Sequence, residues 1–180
     1  MQSRTGRYTD ANYNQALVKN VVTLTGGNTL LTVLIIYFLF LGGNGGRLHH
    51  ILNTENNTLM FEKLLDKQEG PIMCLAWDFS EIHLVSGSVD AVRVWDAKTG
   101  QATFKMTTGR AENKEPTIVW CLCVTDDFTI ITGDSRGKLC FWDGHMGTAI
   151  SSHQTHKADI LAVVMAQNQS MLIVQVRPSS

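Results

Sequence analysis

The residues that could do chemistry in this chain of 180 residues are chiefly its four cysteines, its six histidines and one pair of adjacent aspartates. The cysteines are Cys74, Cys121, Cys123 and Cys140, and each lies in an apolar or mixed strand-like run. Cysteines in such runs usually act as small buried hydrophobic residues. A strand would place Cys121 and Cys123 on one face, where they bridge each other poorly, and no second zinc-type ligand pair occurs. We therefore predict no metal site, and the cysteines fit a reducing intracellular compartment.

The histidines and aspartates predict no catalytic centre. His49 and His50 fit a solvated loop or strand end. His145, His153 and His156 lie in polar connecting segments without the H-x-x-x-H spacing of a helical metal site. Asp126 and Asp127 fall in a turn between strands, without a matched acid, base or metal partner. The sequence also lacks a G-x-S-x-G elbow and a phosphate-binding glycine loop. We predict no enzyme activity, no catalytic or cofactor-binding residue, and no cofactor.

Composition limits the class of partner. The chain is 44% apolar and 17% charged, which is compatible with one domain and a sizeable core. Its formal net charge is −1, and lysine and arginine are scattered along it. Because a protein that grips nucleic acid usually carries a basic patch or stripe, the sequence argues against strong direct RNA binding.

The elements that must position these residues are strands. From Gly43 onward, short apolar runs are separated by Gly, Asp, Asn and Thr, and residues alternate in character at 92–95 and 138–142. Such alternation is typical of half-buried strands, and no long amphipathic helix is visible. The sequence predicts an all-β fold.

An internal repeat gives the architecture. Residues 72–100 align with residues 119–147, and the Trp-Asp pair recurs forty-seven residues later. Each copy has a glycine before the pair and another after it. The matched positions are Gly87, Trp95, Asp96 and Gly100 in the first copy, and Gly133, Trp142, Asp143 and Gly147 in the second.

A period in the forties with a terminal Trp-Asp resembles the WD repeat, in which four strands make one propeller blade. The resemblance implies a partial WD40-type β-propeller of four-stranded antiparallel blades over residues 43–180. The expected blades lie near 45–66, 71–107, 117–152 and 156–176.

The same resemblance implies a buried hydrogen-bond network. In WD repeats the tryptophan indole N–H is often linked to a hydroxyl residue, a histidine and an aspartate of the tight turn. Ser86, Asp90 and Trp95 fit three of these places in one blade, and His156, four residues before Ile160, fits the fourth in the last. The chain departs from the pattern at Arg136, where the turn aspartate would be expected, and no histidine precedes Ile72.

Residues 118–160 resemble the cirhin-like proteins more closely. They contain Ile-Val-Trp at 118–120, Thr-Ile-Ile-Thr-Gly-Asp-Ser at 129–135 and His-Lys-Ala-Asp at 156–159, and the resemblance extends over about residues 45–175. It implies a non-catalytic scaffold of the nucleolar small-subunit processome, concerned with 18S rRNA maturation. The implied partners are other protein subunits of a large pre-ribosomal assembly, with indirect RNA contact. Cirhin-like proteins are far longer, so we expect a chain truncated at both ends.

Residues 1–42 differ from the rest, because they contain the apolar run Leu30–Leu41 and lack the repeat positions. Three interpretations are open. Residues 21–41 could anchor the chain in a membrane, preceded by Lys19, Arg4 and Arg7. They could form a buried strand or helix, or residues 1–42 could be foreign to the domain.

We favour the foreign segment, because the hydrophobic shift is abrupt, and expect residues 1–42 to form no integral blade. The alternative function is a membrane-tethered or cytosolic WD-repeat adaptor unrelated to ribosome assembly.

Overall fold

The computed structural model describes residues 21–24, 30–35, 38–42, 48–53, 59–66, 68–80, 82–110, 115–166 and 172–178, with side chains from Leu64 onward. The described residues form strands and the turns and loops between them. The strands form four antiparallel sheets, and in each sheet the strand order follows the chain. The predicted all-β class, with four-stranded antiparallel blades of a partial propeller, is confirmed.

Two complete sheets contain the repeat. The strands of the second sheet are β6 Cys74–Trp77, β7 His83–Gly87, β8 Ala91–Asp96 and β9 Ala102–Thr107. Those of the third are β10 Val119–Val124, β11 Thr129–Asp134, β12 Lys138–Asp143 and β13 Thr148–Gln154. The second sheet thus extends from Cys74 to Thr107 and the third from Val119 to Gln154.

The two sheets share one register. Cys74 lies opposite Gly87 and Leu84 opposite Trp95 in the second sheet. Cys121 lies opposite Gly133 and Ile130 opposite Trp142 in the third. The two tryptophans therefore occupy equivalent places on the third strands of separate sheets, because the aligned residues recur at the same depth of each strand.

Close packing of the first strands joins neighbouring sheets. The Cys74 thiol donates to Val119 O at 3.5 Å, and the Cys121 thiol donates to Ile160 O at 3.5 Å. A Cβ on Gly133 would lie 2.5 Å from Ile160 Cγ2, so this position accepts only glycine without a shift. The first strands β6, β10 and β14 (Ile160–Met165) lie side by side. One hydrophobic core lies between the second and third sheets, and a smaller one lies between the third and fourth.

The fourth sheet has two described strands, β14 Ile160–Met165 and β15 Leu172–Val176. Val163 pairs with Val174 where Leu75 pairs with Ser86 in the second sheet. A valine therefore stands at the position that carries a hydroxyl in the two complete sheets.

The first sheet crosses the predicted domain boundary. Its strands are β1 Val21–Leu24, β2 Leu30–Ile35, β3 Phe38–Gly42, β4 Leu48–Asn53 and β5 Leu59–Leu64. Leu39 of β3 pairs with Ile51 of β4, so the expectation that residues 1–42 form no integral blade does not match this pairing. The apolar run is rich in β-branched and aromatic residues, which favour strands, and it forms a hairpin instead of one continuous segment. Residues 1–20 lie outside the described residues.

Within the described ranges, no helix has the length and apolar character needed to cross a bilayer.

Candidate functional site

The tryptophan of the second sheet heads a buried hydrogen-bond relay. Trp95 Nε1 donates to Ser86 Oγ at 2.8 Å, and Ser86 Oγ donates to Gln68 Oε1 at 2.6 Å. Trp95 and Ser86 are 0% exposed and Gln68 is 1% exposed. Because an indole N–H buried without a partner is costly, the serine hydroxyl allows the whole ring to be buried.

Sequence reasoning missed Gln68. This glutamine precedes Ile72 by four residues, as His156 precedes Ile160. The amide oxygen of a glutamine accepts a hydrogen bond as a neutral histidine nitrogen does. A polar residue of any type four residues before Ile72 could have been predicted as this acceptor, and that position is Gln68.

The third sheet has a shorter version of the relay. Trp142 Nε1 donates to Thr132 Oγ1 at 3.0 Å, and this hydroxyl donates to Cys140 O at 3.5 Å. The threonine hydroxyl is therefore oriented by a backbone carbonyl of the adjacent strand.

Asp90 does not join the relay. It lies in the turn between β7 and β8 with a φ of 59°, a left-handed conformation that aspartate tolerates better than most residues. Its carboxylate accepts from Thr117 N at 2.7 Å and from Arg110 Nε at 2.8 Å. Asp90 thus connects this turn to the loop that precedes β10.

His156 and Arg136 also lie outside the relays. The His156 ring is exposed and lies 3.0 Å from Thr155 Oγ1. Arg136 Nη2 donates to Thr108 O at 3.2 Å, so it links the turn after β11 to the segment after β9.

The Trp-Asp aspartates and the glycines after them build two copies of one turn. Asp96 Oδ1 accepts from Thr99 N at 2.7 Å, and Asp143 Oδ1 accepts from His145 N at 2.8 Å. The turns close at Gly100 and Gly147, whose φ values of 79° and 65° favour glycine.

The cysteines are poorly placed for nucleophilic chemistry. Burial raises the pKa of Cys121 to about 12 and that of Cys123 to about 11, and it also raises the pKa values of Cys74 and Cys140. Because only a thiolate attacks or binds metal well, these thiols are inert near neutral pH. Over the described residues, no group of three or more His, Cys, Asp and Glu side chains is placed to hold a metal ion.

Asp126 and Asp127 lie in the exposed turn before β11. The Thr125 hydroxyl donates to the Asp127 carboxylate and lowers its pKa. This keeps Asp127 charged and gives it a role in shaping the turn. His49 and His50 lie on β4, outside the region where side chains are described.

The loops at the end of the sheets opposite the Trp-Asp turns form an open groove with balanced charges. It has a volume of about 520 Å³ and is lined by Glu69, Asp90, Lys105 and Arg110, among others. Lys105 Nζ lies 3.1 Å from Glu69 Oε2, and Arg110 Nε lies 2.8 Å from Asp90 Oδ2. Because each cation faces a carboxylate, the groove lacks the positive excess that a nucleic-acid backbone would require.

The chain is similar in sequence to several known proteins. No protein-family model matches the chain. The chain is 36% identical over 119 residues to the human U3 small nucleolar RNA-associated protein 4 homolog, covering 64% of this chain and 17% of that protein. It is 32% identical over 115 residues to U3 small nucleolar RNA-associated protein 4 of Schizosaccharomyces pombe, covering 62% of this chain and 16% of the relative. The protein of that name from Saccharomyces cerevisiae is 31% identical over 113 residues, covering 58% and 14%. The chain therefore spans less than a fifth of the length of these relatives.

Proposed function

We propose that this chain is part of a non-catalytic scaffold in ribosome biogenesis, acting in the nucleolar small-subunit processome and in 18S rRNA maturation. The observation that carries the proposal is the similarity, at 31% to 36% identity, to proteins from human and two yeasts that are named for association with U3 small nucleolar RNA. The resemblance of residues 118–160 to cirhin-like proteins points in the same direction.

The geometry of the described blades supports a scaffold. Their buried polar side chains serve the fold: Ser86 and Thr132 satisfy the indoles, and Asp90 holds the loop before β10. The turns and loops at both ends of the sheets present polar and apolar side chains to solvent. Such surfaces recognise partners by contact and need no reactive group.

Contact with RNA is proposed to be indirect. The formal net charge is −1, and the cations Lys105 and Arg110 are paired with carboxylates. A surface that binds nucleic acid strongly carries unpaired lysine and arginine. The proposed partners are therefore protein subunits of a pre-ribosomal assembly.

The test is depletion of the native protein in cells, followed by measurement of ribosomal RNA precursors. We expect precursors of 18S rRNA to accumulate while large-subunit rRNA is unchanged, with rescue by the wild-type protein. The tagged protein should lie in the nucleolus and co-purify with U3 RNA through other proteins. Normal 18S maturation together with carbonate-resistant membrane association would refute the proposal in favour of a membrane-tethered adaptor, and normal maturation with a diffuse cytosolic signal would favour a cytosolic one.

A further inference from the structure

The turns that follow the first and third strands of the second and third sheets form one surface, here called the lower face. It comprises residues 78–80, 82, 96–101, 125–128 and 143–147. Three large apolar side chains project from it into solvent: Phe79 is 61% exposed, Ile82 is 54% exposed and Met146 is 66% exposed. Exposed apolar side chains gathered on one face mark an interaction site more often than isolated ones do.

Ring contacts make the lower face continuous across the two sheets. The His83 ring, next to Ile82, stacks on Phe128 with centroids 5.1 Å apart. The Phe128 ring meets His145, next to Met146, edge to face at 5.1 Å. Phe128 is 5% exposed, so it forms a packed floor between the turns that carry Ile82 and Met146.

Backbone hydrogen bonds hold the turns in place. Ala97 N donates to Ile82 O at 3.0 Å, and Gly144 N donates to Phe128 O at 3.0 Å. Each bond ties the turn after a third strand to the turn after the first strand of the same sheet. A surface that is ordered in advance loses less entropy when it binds a partner.

The lower face also carries more negative than positive charge. The lower face carries the carboxylates of Asp96, Asp126, Asp127 and Asp143, and Lys98 is the cation among its described residues. A backbone hydrogen bond from Thr99 lowers the pKa of Asp96, so this carboxylate stays charged well below neutral pH.

We propose that the lower face docks a protein segment in which apolar side chains are flanked by lysine or arginine. The apolar side chains of the segment would cover Ile82 and Met146, while its cations would pair with the surrounding carboxylates. The carboxylates disfavour RNA and anionic membranes, which carry the same sign of charge. They also disfavour a second copy, because a two-fold contact would bring this negative surface against itself.

The proposal rests on the proposed scaffold function, and the two can fail separately. Processing of 18S rRNA tests the scaffold role in cells, whereas docking is measured with the purified full chain. Absence of docking by the wild-type chain, together with normal rescue of 18S maturation by that chain, would overturn the surface alone.

The experiment measures fluorescence anisotropy of labelled peptides with the full chain. The probes are a peptide of alternating lysine and leucine, one in which glutamate replaces lysine, and one in which serine replaces leucine. We expect the lysine-leucine peptide to bind at least about tenfold more tightly than either other peptide, which corresponds to roughly 1.4 kcal/mol. Its binding should weaken as salt shortens the Debye length from about 10 Å at 0.1 M to about 3 Å at 1 M.

Variants locate the binding site. The double variant Ile82→Ser/Met146→Ser and the single variant Asp126→Lys should each weaken lysine-leucine binding by about tenfold. The matched control Val164→Ser removes an apolar side chain, 57% exposed, from β14 outside the lower face, and should leave binding unchanged. Equal binding of the lysine and glutamate peptides, or equal loss in the control, would overturn the proposal. So would a double variant that abolishes self-association in sedimentation without changing peptide binding, because a second copy would then be the occupant.

Discussion

Replacing Ser86 by alanine tests whether the buried relay stabilises the second sheet. The change removes one oxygen and leaves almost no cavity. It deprives Trp95 Nε1 and Gln68 Oε1 of their partner, and both residues are at most 1% exposed. Leaving a buried polar atom unpaired costs about 1–3 kcal/mol. For two atoms, we expect the free energy of unfolding to fall by roughly 2–6 kcal/mol.

The assay is urea unfolding of the full chain, followed by tryptophan fluorescence. With a slope of about 1–3 kcal/mol per molar urea, a loss of this size shifts the midpoint by about 1 M or more at unchanged slope. Ser152→Ala, at an exposed position of β13, is the matched control and should change stability by less than about 0.5 kcal/mol. Ser86→Thr keeps the hydroxyl, as Thr132 does in the third sheet, and should cost less than Ser86→Ala. If Ser86→Ala costs no more than Ser152→Ala, the relay does not stabilise the fold.

Three further perturbations follow from the packing. Gly133→Ala would bring a Cβ to 2.8 Å from Cys121 Sγ as well as against Ile160, so the free energy of unfolding in urea should fall by about 1–3 kcal/mol. The control Gly109→Ala places its Cβ where no such neighbour lies within 4 Å, so it should show only backbone strain. Because burial raises the pKa of Cys121 from 9.0 to about 12, iodoacetamide at pH 8 should label this thiol slowly in the folded chain and fast in urea. The unfolded thiol loses its proton at lower pH than the folded one, so the free energy of unfolding should decline as pH rises above about 9. Rapid labelling of the folded chain would contradict this. Among the described strands, β15 pairs only with β14, so its other edge has no described partner strand. We expect the chain to self-associate through this edge of β15 in sedimentation, and Ile173→Lys to reduce the association. A wild-type chain that sediments as a monomer would argue against this prediction.

The repeat predicted the two complete sheets well, because the same buried residue types recur at the same positions along the strands of both sheets. Gly133 must be small where Ile160 of β14 approaches. Trp95 and Trp142 each need a hydroxyl partner, which the residue directly before the glycine of the second strand supplies. These requirements recur in each sheet and are visible in residue types. The fold of these parts could therefore be predicted from one chain.

Other features could not be predicted, for identifiable physical reasons. The run at 30–41 is apolar enough for a helix, a membrane segment or a hairpin, and only its pairing with β4 distinguishes them. Asp90 acts on Thr117, twenty-seven residues later, through a backbone N–H that no residue type reveals. Gln68 does not match the histidine of the WD-repeat pattern, but its amide oxygen supplies the acceptor that the Ser86 hydroxyl needs.

The two relays show which part of the network each sheet requires. In both, the indole N–H is satisfied by one hydroxyl, at 2.8 Å and 3.0 Å, and the hydroxyl hydrogen then needs an acceptor of its own. The second sheet takes that acceptor from Gln68 in the loop before β6, whereas the third takes it from Cys140 O within the sheet. The loop before β10 is consequently not held by a relay.

Two turns hold that loop instead. Asp90, in the turn after β7, accepts from Thr117 N at 2.7 Å, and Ser135, in the turn after β11, accepts from Ile118 N at 3.0 Å. The loop is thus fixed jointly by the sheet before it and by its own sheet. Because the bond from Thr117 N to Asp90 crosses from one sheet to the next, it couples the second and third sheets at the end opposite the lower face. A side chain that the WD-repeat resemblance assigned to the stability of one blade, Asp90, therefore serves the junction between two.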